Sequence, residues 1–408
     1  MSQNAYDIQR AAVIGAGTMG RGIVMCLANA GVRVQWVDNN PQMLEQGMAA
    51  VAQTYAHSVR QGRIGEAEAA ERRGRVESAA NYSAIRDVDL VIEAVYENLE
   101  LKQTIFRELD AVLKPSAILA SNTSALNIDA IAAVTQRPAQ VLGLHFFSPA
   151  HIMKLLEVVR AAKTAPAVLQ AATALGERMG KVSVVAGNCQ GFIGNRMLDT
   201  YVREARSMLL EGALPSEVDE AMQSFGFAMG PFRMFDVVGI DLGWHARELA
   251  GKGQDDPLVQ VDNRLCELGR YGQKTGNGFY HYEPGSRQAE HDPEVDALVV
   301  GVSRGLGYER RAIGAPEILE RCLLALVNEG AKILQEGIAE SAHDIDLVYL
   351  NGYGFPAAQG GPMAWADAQG MAQIKKRLLA LEKNRGEHWH PAGLIGRLAA
   401  EGGRLSQA

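Results

Sequence analysis

Ala11-Ala12-Val13-Ile14-Gly15-Ala16-Gly17-Thr18-Met19-Gly20 decides the fold: a short apolar run, a Gly-x-Gly-x-x-Gly turn, then a helical pattern from Met19 to Ala30. Strand, turn and helix in that order set unpaired backbone N–H groups and the positive helix end where a pyrophosphate lies. Gly15 permits the tight turn, Gly17 the close approach of the phosphates, and Gly20 the packing of helix on strand. Ala16, Thr18 and Met19 complete the turn. A second strand, Val32 to Val37, ends at Asp38, at about the ~20-residue distance where a carboxylate accepts hydrogen bonds from an adenosine ribose. That carboxylate repels a 2′-phosphate, and Asn39-Asn40-Pro41 brings no arginine to receive one. The expected cofactor is therefore NAD rather than NADP.

Strands and helices continue to alternate: Asp89 to Glu93, the helix Lys102 to Leu113, Ala117 to Ala120, Val141 to His145, Met153 to Val159, and the helix Ala165 to Met179. Alternation of this kind implies a parallel sheet. Residues 43–77 read as a polar helical arm leaving that sheet. Its arginines, Arg60, Arg63, Arg72, Arg73 and Arg75, are interleaved with Glu66, Glu68, Glu71 and Glu77, which favours a solvated face over a phosphate site. After Gly191 long helical patterns take over and then repeat. Asn195-Arg-Met-Leu and Leu209-Leu-Glu-Gly are echoed by Glu320-Arg-Cys-Leu and Leu334-Gln-Glu-Gly; Phe225-Gly-Phe and Gly230-Pro are echoed by Tyr353-Gly-Phe and Gly361-Pro. The expected architecture is α/β: a Rossmann-type NAD-binding domain over 1–188, a helical domain over 189–283, a linker over 284–315, and a second helical repeat over 316–408.

The 408-residue chain has 47% hydrophobic and 21% charged residues, a globular composition that argues against disorder. A formal charge of −7 gives no basic footprint for nucleic acid. Met1 to Gln9 shows no signal pattern and no apolar run is long enough to cross a bilayer, so the expected setting is cytosol. Cys26, Cys189, Cys266 and Cys322 lie far apart and read as buried small hydrophobes. His388-Trp389-His390 has no neighbouring ligand set and reads as surface, so no metal site is expected.

An alcohol yields a hydride to nicotinamide only as its hydroxyl proton leaves, which calls for a base titrating near neutrality. His145 ends an apolar strand at the sheet edge where such folds place ligands. Glu157, within the largely apolar Met153-Lys-Leu-Leu-Glu-Val-Val, is costly to bury unpaired. A fold-back at Ser148 to His151 brings it beside His145, where it fixes the tautomer and stabilises the imidazolium. Ser121-Asn122-Thr123-Ser124 stands at the same edge, and Asn195 approaches from the helical domain across a cleft that has to close. Ser124 and Asn195 serve equally well, on sequence, as substrate donors or as helix caps.

Gly-Ala-Gly-Thr-Met-Gly at 15–20, Glu-Ala-Val-Tyr-Glu-Asn-Leu at 93–99, Ser-Asn-Thr-Ser at 121–124, His-Phe-Phe-Ser-Pro-Ala at 145–150, Met-Lys-Leu-Leu-Glu-Val-Val at 153–159 and Gly-Phe-Ile-Gly-Asn-Arg at 191–196 resemble 3-hydroxyacyl-CoA dehydrogenases. The chain is most similar to the dehydrogenase portion of the peroxisomal-type multifunctional enzymes of fatty-acid β-oxidation, without their hydratase/isomerase half. The resemblance implies His145 as base, Glu157 as its partner, and Ser124 and Asn195 as substrate-holding residues. It adds Glu97, Lys102, Asn122, Ser148 and Lys274 as NAD contacts, Ser148 standing where many relatives carry a longer-reaching asparagine. The implied reaction oxidises an (S)-3-hydroxyacyl-CoA with NAD⁺, in β-oxidation or a related acyl-CoA pathway. Simpler members of that family pair two chains through the helical domain, and the repeat alone motivates the expectation that the second helical copy takes the place of that partner, which allows a monomer. A dehydrogenase of a free 3-hydroxy acid or sugar acid shares the turn and the His/Glu pair, and a non-catalytic NAD-binding protein shares the turn.

Overall fold

The computed structural model describes residues 6–408, so the reading of Met1 to Gln9 lies partly outside the described residues. Two compact units form, one from Met1–Arg196 with Ile333–Tyr353, the other from Met197–Lys332 with Gly354–Ala408. In the first, strands β1 (Arg10–Ile14), β2 (Arg33–Val37), β3 (Val76–Ser78), β4 (Leu90–Glu93), β5 (Ile118–Ser121), β6 (Val141–Phe146), β7 (Leu155–Arg160) and β8 (Val182–Gly187) make one sheet in the order β3-β2-β1-β4-β5-β6-β7-β8. All neighbours are parallel except β6 and β7. Strand order reverses between β1 and β4, the switch point outside which doubly wound folds bind dinucleotides. β4, β5 and β6 are buried along their whole length, as strands covered on both faces must be.

The helices of this unit are α1 (Thr18–Asn29), α2 (Pro41–Arg60), α3 (Glu66–Gly74), α4 (Leu99–Val112), α5 (Ile128–Ala132) and α6 (Pro166–Arg178). Asn40 starts α2 by accepting the Gln42 N–H at 3.0 Å, with Pro41 at the first helical position. The arm expected to leave the sheet instead packs on it. Leu44, Val51, Tyr55 and Ala69 join the main core, and a Cβ on Gly47 would come within 2.6 Å of the Trp36 ring. Arg72 and Arg75 pair with Glu68 and Glu71 one turn back, the solvated arrangement that interleaved charges favour. β3 and β8 carry no clear alternation, and the position of β8 reads in the sequence as a domain boundary.

The second unit is helical. α7 (Gly194–Glu211) starts in the first unit and continues into it, followed by α8 (Pro215–Phe225), α9 (Pro231–Val238), α10 (Asp241–Ala250), α11 (Gln260–Glu267), α12 (Pro293–Gly305) and α13 (Ala315–Gln335). α14 (Ala342–Gly352) belongs to the first unit; α15 (Pro362–Gln369), α16 (Met371–Arg385) and α17 (Gly393–Glu401) return to the second. The repeat is visible in the backbone. Gly226 after α8 and Gly354 after α14 take φ of 119° and 67°, the left-handed conformation that favours glycine, and Pro231 and Pro362 open the next helices. α12 falls within the segment expected as a linker.

The two copies meet in the second unit through buried charge. The Arg321 guanidinium on α13 lies 3.0 Å from Glu204 and 2.7 Å from Glu211, both on α7, and Arg385 on α16 reaches Glu211 at 2.6 Å. Among the described residues no helix is long and apolar enough to cross a membrane. Cys26, Cys266 and Cys322 are buried as expected, whereas Cys189 is only partly so. Of residues 388–390, expected at the surface, His388 and His390 are exposed but Trp389 is buried, and His388 lies 3.3 Å from Glu204 on α7.

Candidate active site

The glycine turn closes against the switch point. Gly15 adopts φ 106°, and a Cβ there would lie 2.7 Å from the Ala94 carbonyl oxygen just past β4. A Cβ on Gly20 would collide with the Gly15 carbonyl oxygen at 2.0 Å, so helix and turn touch only as glycines. Gly17 faces open space at the N-terminus of α1, next to exposed Thr18. Asp38, one residue past β2, accepts the Ala16 N–H at 2.6 Å and the Asn40 N–H at 2.8 Å, which holds its carboxylate at the lip of the turn. A turn that only glycine permits at 15 and 20, a helix end left open beside Gly17 and a carboxylate at the adjoining strand end fit a dinucleotide.

His145 and Glu157 are directly opposed across the antiparallel β6–β7 pair. Both are buried, with His145 Nδ1 2.7 Å from Glu157 Oε2. The other carboxylate oxygen, Oε1, accepts the N–H groups of Ile193 at 3.2 Å and Gly194 at 3.0 Å, where α7 begins. A buried carboxylate is thus balanced by an imidazole, two backbone donors and the positive end of a helix. The imidazole packs against Phe147 at 4.3 Å and Phe192 at 5.8 Å between ring centroids.

Asn195 lies in the same compact unit as the sheet, so no domain closure is needed to bring it to Ser124. Glu157 pins the first turn of α7 to the sheet, and Asn195 Nδ2 donates to the Ser124 carbonyl oxygen at 3.2 Å. Neither residue is a cap. Asn127 caps α5 by accepting the Ala130 N–H at 3.2 Å, and Asn195 is the second residue of its helix. Glu97 accepts the N–H of Ser124 at 2.8 Å and its hydroxyl at 3.3 Å. Lys102 is buried, its ammonium 2.7 Å from Glu93 and 3.4 Å from Glu97. It therefore reaches the site edge through Glu97. Asn122 accepts the Phe146 N–H at 2.9 Å, tying β5 to β6 beside the imidazole. Ser148 is exposed. Lys274 lies in the second unit, where it pairs with Asp241 at 2.6 Å. Outside the sequence-derived set, His281, Glu283 and Glu290 bring ligand-type atoms within 4.8 Å of one another, with Glu283 and Glu290 exposed as ordinary surface carboxylates are.

Two residues escaped the sequence reading. Gly194 supplies the second anchor of Glu157 through its backbone, which no side-chain pattern reveals. Tyr353 donates its hydroxyl to Asn195 Oδ1 at 2.8 Å. Its only sequence signal is that it stands where the first copy has Phe225.

Residues 10–189 match the description "3-hydroxyacyl-CoA dehydrogenase, NAD binding domain", and 191–282 and 318–408 both match "3-hydroxyacyl-CoA dehydrogenase, C-terminal domain". The chain belongs to the 3-hydroxyacyl-CoA dehydrogenase family. It is thus an oxidoreductase with NAD as cofactor, and its C-terminal family domain is present twice. It is similar to peroxisomal bifunctional enzymes, 45% identical over 419 residues to that of Danio rerio and 40% over 423 residues to that of Homo sapiens, matching 97% and 98% of this chain. The chain spans 57% of the length of each. Among solved structures it resembles 3-hydroxybutyryl-CoA dehydrogenase from Escherichia coli, with a TM-score of 0.83, 27% identity and coverage of 97% of this chain and 99% of that one. The dehydrogenase part of multifunctional enzyme 1 from C. elegans gives a TM-score of 0.69, also at 27% identity, over 96% of this chain and 90% of that one.

Proposed function

We propose that this family member interconverts (S)-3-hydroxyacyl-CoA and 3-oxoacyl-CoA in fatty-acid β-oxidation or a related acyl-CoA pathway. The observation that carries the reading is the buried 2.7 Å pair of His145 and Glu157 at the end of β6. Bonding of Nδ1 to the carboxylate assigns the proton to Nδ1 and leaves the Nε2 lone pair as the base. When bound, NAD⁺ supplies the hydride acceptor. Nε2 takes the proton of the substrate 3-hydroxyl as the carbon–hydrogen bond breaks, and Glu157 stabilises the resulting imidazolium. The Ser124 hydroxyl, turning from its 3.3 Å contact with Glu97, and the Asn195 amide donate to the substrate oxygen, holding it against Nε2. The turn residues Gly15 to Gly20 carry the pyrophosphate and Asp38 the ribose, while Glu97, with Lys102 behind it, Asn122 and Ser148 border the cofactor; a cofactor contact for Lys274 rests on the family resemblance alone.

The test is reduction by NADH of acetoacetyl-CoA and of acetoacetate by the same preparation. Turnover of the thioester well above that of the free acid is the expected result. Preference for the free acid would transfer the chain to the free hydroxy-acid reading, and no turnover of either to a binding role.

A monomeric state in the cytosol completes the proposal. Its support is the contact of Arg321 with Glu204 and Glu211, by which the second helical copy satisfies charges of the first within one chain. Light scattering should give the mass of one chain, against two if the copies still pair between molecules.

A further inference from the structure

Tyr353 belongs to the second helical copy, yet its side chain lies at the site of the first. We infer that Tyr353 is a positioning residue for Asn195: its hydroxyl holds the Oδ1 end of the amide in the orientation that the Ser124 carbonyl sets, with the NH₂ group facing the substrate oxygen. The inference rests on the substrate role of Asn195 proposed above.

An asparagine amide presents two ends of nearly equal shape and opposite hydrogen-bonding character. The Ser124 carbonyl oxygen can only accept, so its bond from Asn195 Nδ2 at 3.2 Å sets which end is NH₂, but one bond leaves the side chain free to pivot about it. Tyr353 breaks that freedom. Its hydroxyl donates to Oδ1 at 2.8 Å, so both ends of the amide are specified and one hydrogen of the NH₂ group remains for substrate.

The tyrosine is itself held firmly. Its ring stacks on Tyr349 at 4.9 Å and meets the edge of Phe147 at 5.6 Å, and Phe147 in turn packs on His145. A Cβ on Gly194 would come within 2.4 Å of the Tyr353 ring and hydroxyl, so the ring lies directly on the first residue of α7. The segment before it is joined to the sheet by the Gly187 N–H to Ile338 carbonyl bond at 2.7 Å and by the Ala186–Ala339 bridge. α14 ends against β7, where a Cβ on Gly352 would meet Leu155 at 2.5 Å. The equivalent Phe225 of the first copy packs among Phe227, Phe355 and Trp365, where a hydroxyl has no such task. The one atom that distinguishes the two copies here is the atom that contacts Asn195.

Tyr353→Phe keeps every ring contact and removes only the hydroxyl. Wild type, Tyr353→Phe, Asn195→Ala and the double variant are compared for kcat/KM with acetoacetyl-CoA, for NADH affinity by fluorescence, and for melting temperature. Displacement of one positioned group costs up to ~10²-fold in rate, so Tyr353→Phe should lower kcat/KM by about 10- to 100-fold with NADH affinity and melting temperature nearly unchanged. In the Asn195→Ala background it should cost nothing further. Unchanged kcat/KM in Tyr353→Phe beside a loss in Asn195→Ala would overturn the inference and leave the substrate role of Asn195 standing, and so would losses that multiply in the double variant. Full activity of Asn195→Ala would remove that substrate role and the inference with it.

Discussion

Glu157 Oε1 accepts the Gly194 N–H at 3.0 Å, so the carboxylate paired with His145 also fastens the helix that carries Asn195. In the proposed function, one side chain thereby sets both the tautomer of the base and the position of the substrate donor. Losing it therefore disturbs two parts of the site at once.

Glu157→Gln tests this coupling with little change in shape. An amide cannot accept at both ends, so its NH₂ group must face either the Gly194 donor or His145 Nδ1. The first sets donors against each other, and the second forces the wrong imidazole tautomer. A fall of ~10²-fold or more in kcat is expected, with a loss of about 1–3 kcal/mol in stability. Steady-state kinetics and thermal melting of the same preparation check both.

In the proposed function Asp38 governs cofactor choice. Its oxygens are already fixed by Ala16 and Asn40, so it cannot swing away from a 2′-phosphate. Like charges set together cost several kcal/mol, so NADPH should bind about 100-fold or more weakly than NADH. Asp38→Ala should narrow that ratio while also weakening NADH, because Ala16 loses its acceptor. Equal dissociation constants for the wild type in a fluorescence titration would contradict the assignment.

Acid should loosen the junction between the helical copies. Burial opposes ionisation of Glu211, but hydrogen bonds from Arg321 and Arg385 outweigh it and hold the carboxyl down to about 2, against ~4.3 for an unfolded chain. A lowered folded value contributes stability that is present above ~4.3 and is lost as pH falls through about 2. Melting temperature followed across that window should fall more steeply in the wild type than in Glu211→Gln.

Arg321→Met removes the buried cation facing Glu204 and Glu211. Stranding a buried charge costs ~3–5 kcal/mol, so the denaturation midpoint should drop sharply. Adding Glu204→Leu should restore much of it, since an apolar pair of similar volume suits a buried site. No recovery in the double variant would mean that the two charges act independently.

The sequence carried the sheet, the turn and the dyad because each depends on local pattern or on an energetic imbalance within one segment. Gly15, Gly17 and Gly20 are spaced for one task, and Glu157 in an apolar strand demanded a partner. β3 is too short for a period to show, and the helical arm reads as solvated because the charges of its second half, Arg60 to Glu77, outweigh the widely spaced apolar residues of its first, Leu44, Val51 and Tyr55. Gly194 acts through its backbone and Tyr353 through contact across 158 residues of chain, so neither announces itself in sequence. Asn195 reads in sequence as part of the helical domain because the change to helical pattern falls before it, whereas the packing boundary falls just after it.

Turnover by His145→Gln is the most direct measurement. General base catalysis supplies ~10² to 10⁴ in rate. The variant should bind NADH with wild-type affinity yet reduce acetoacetyl-CoA more slowly by that factor. Wild-type kcat in a folded, NADH-binding His145→Gln protein would contradict the account.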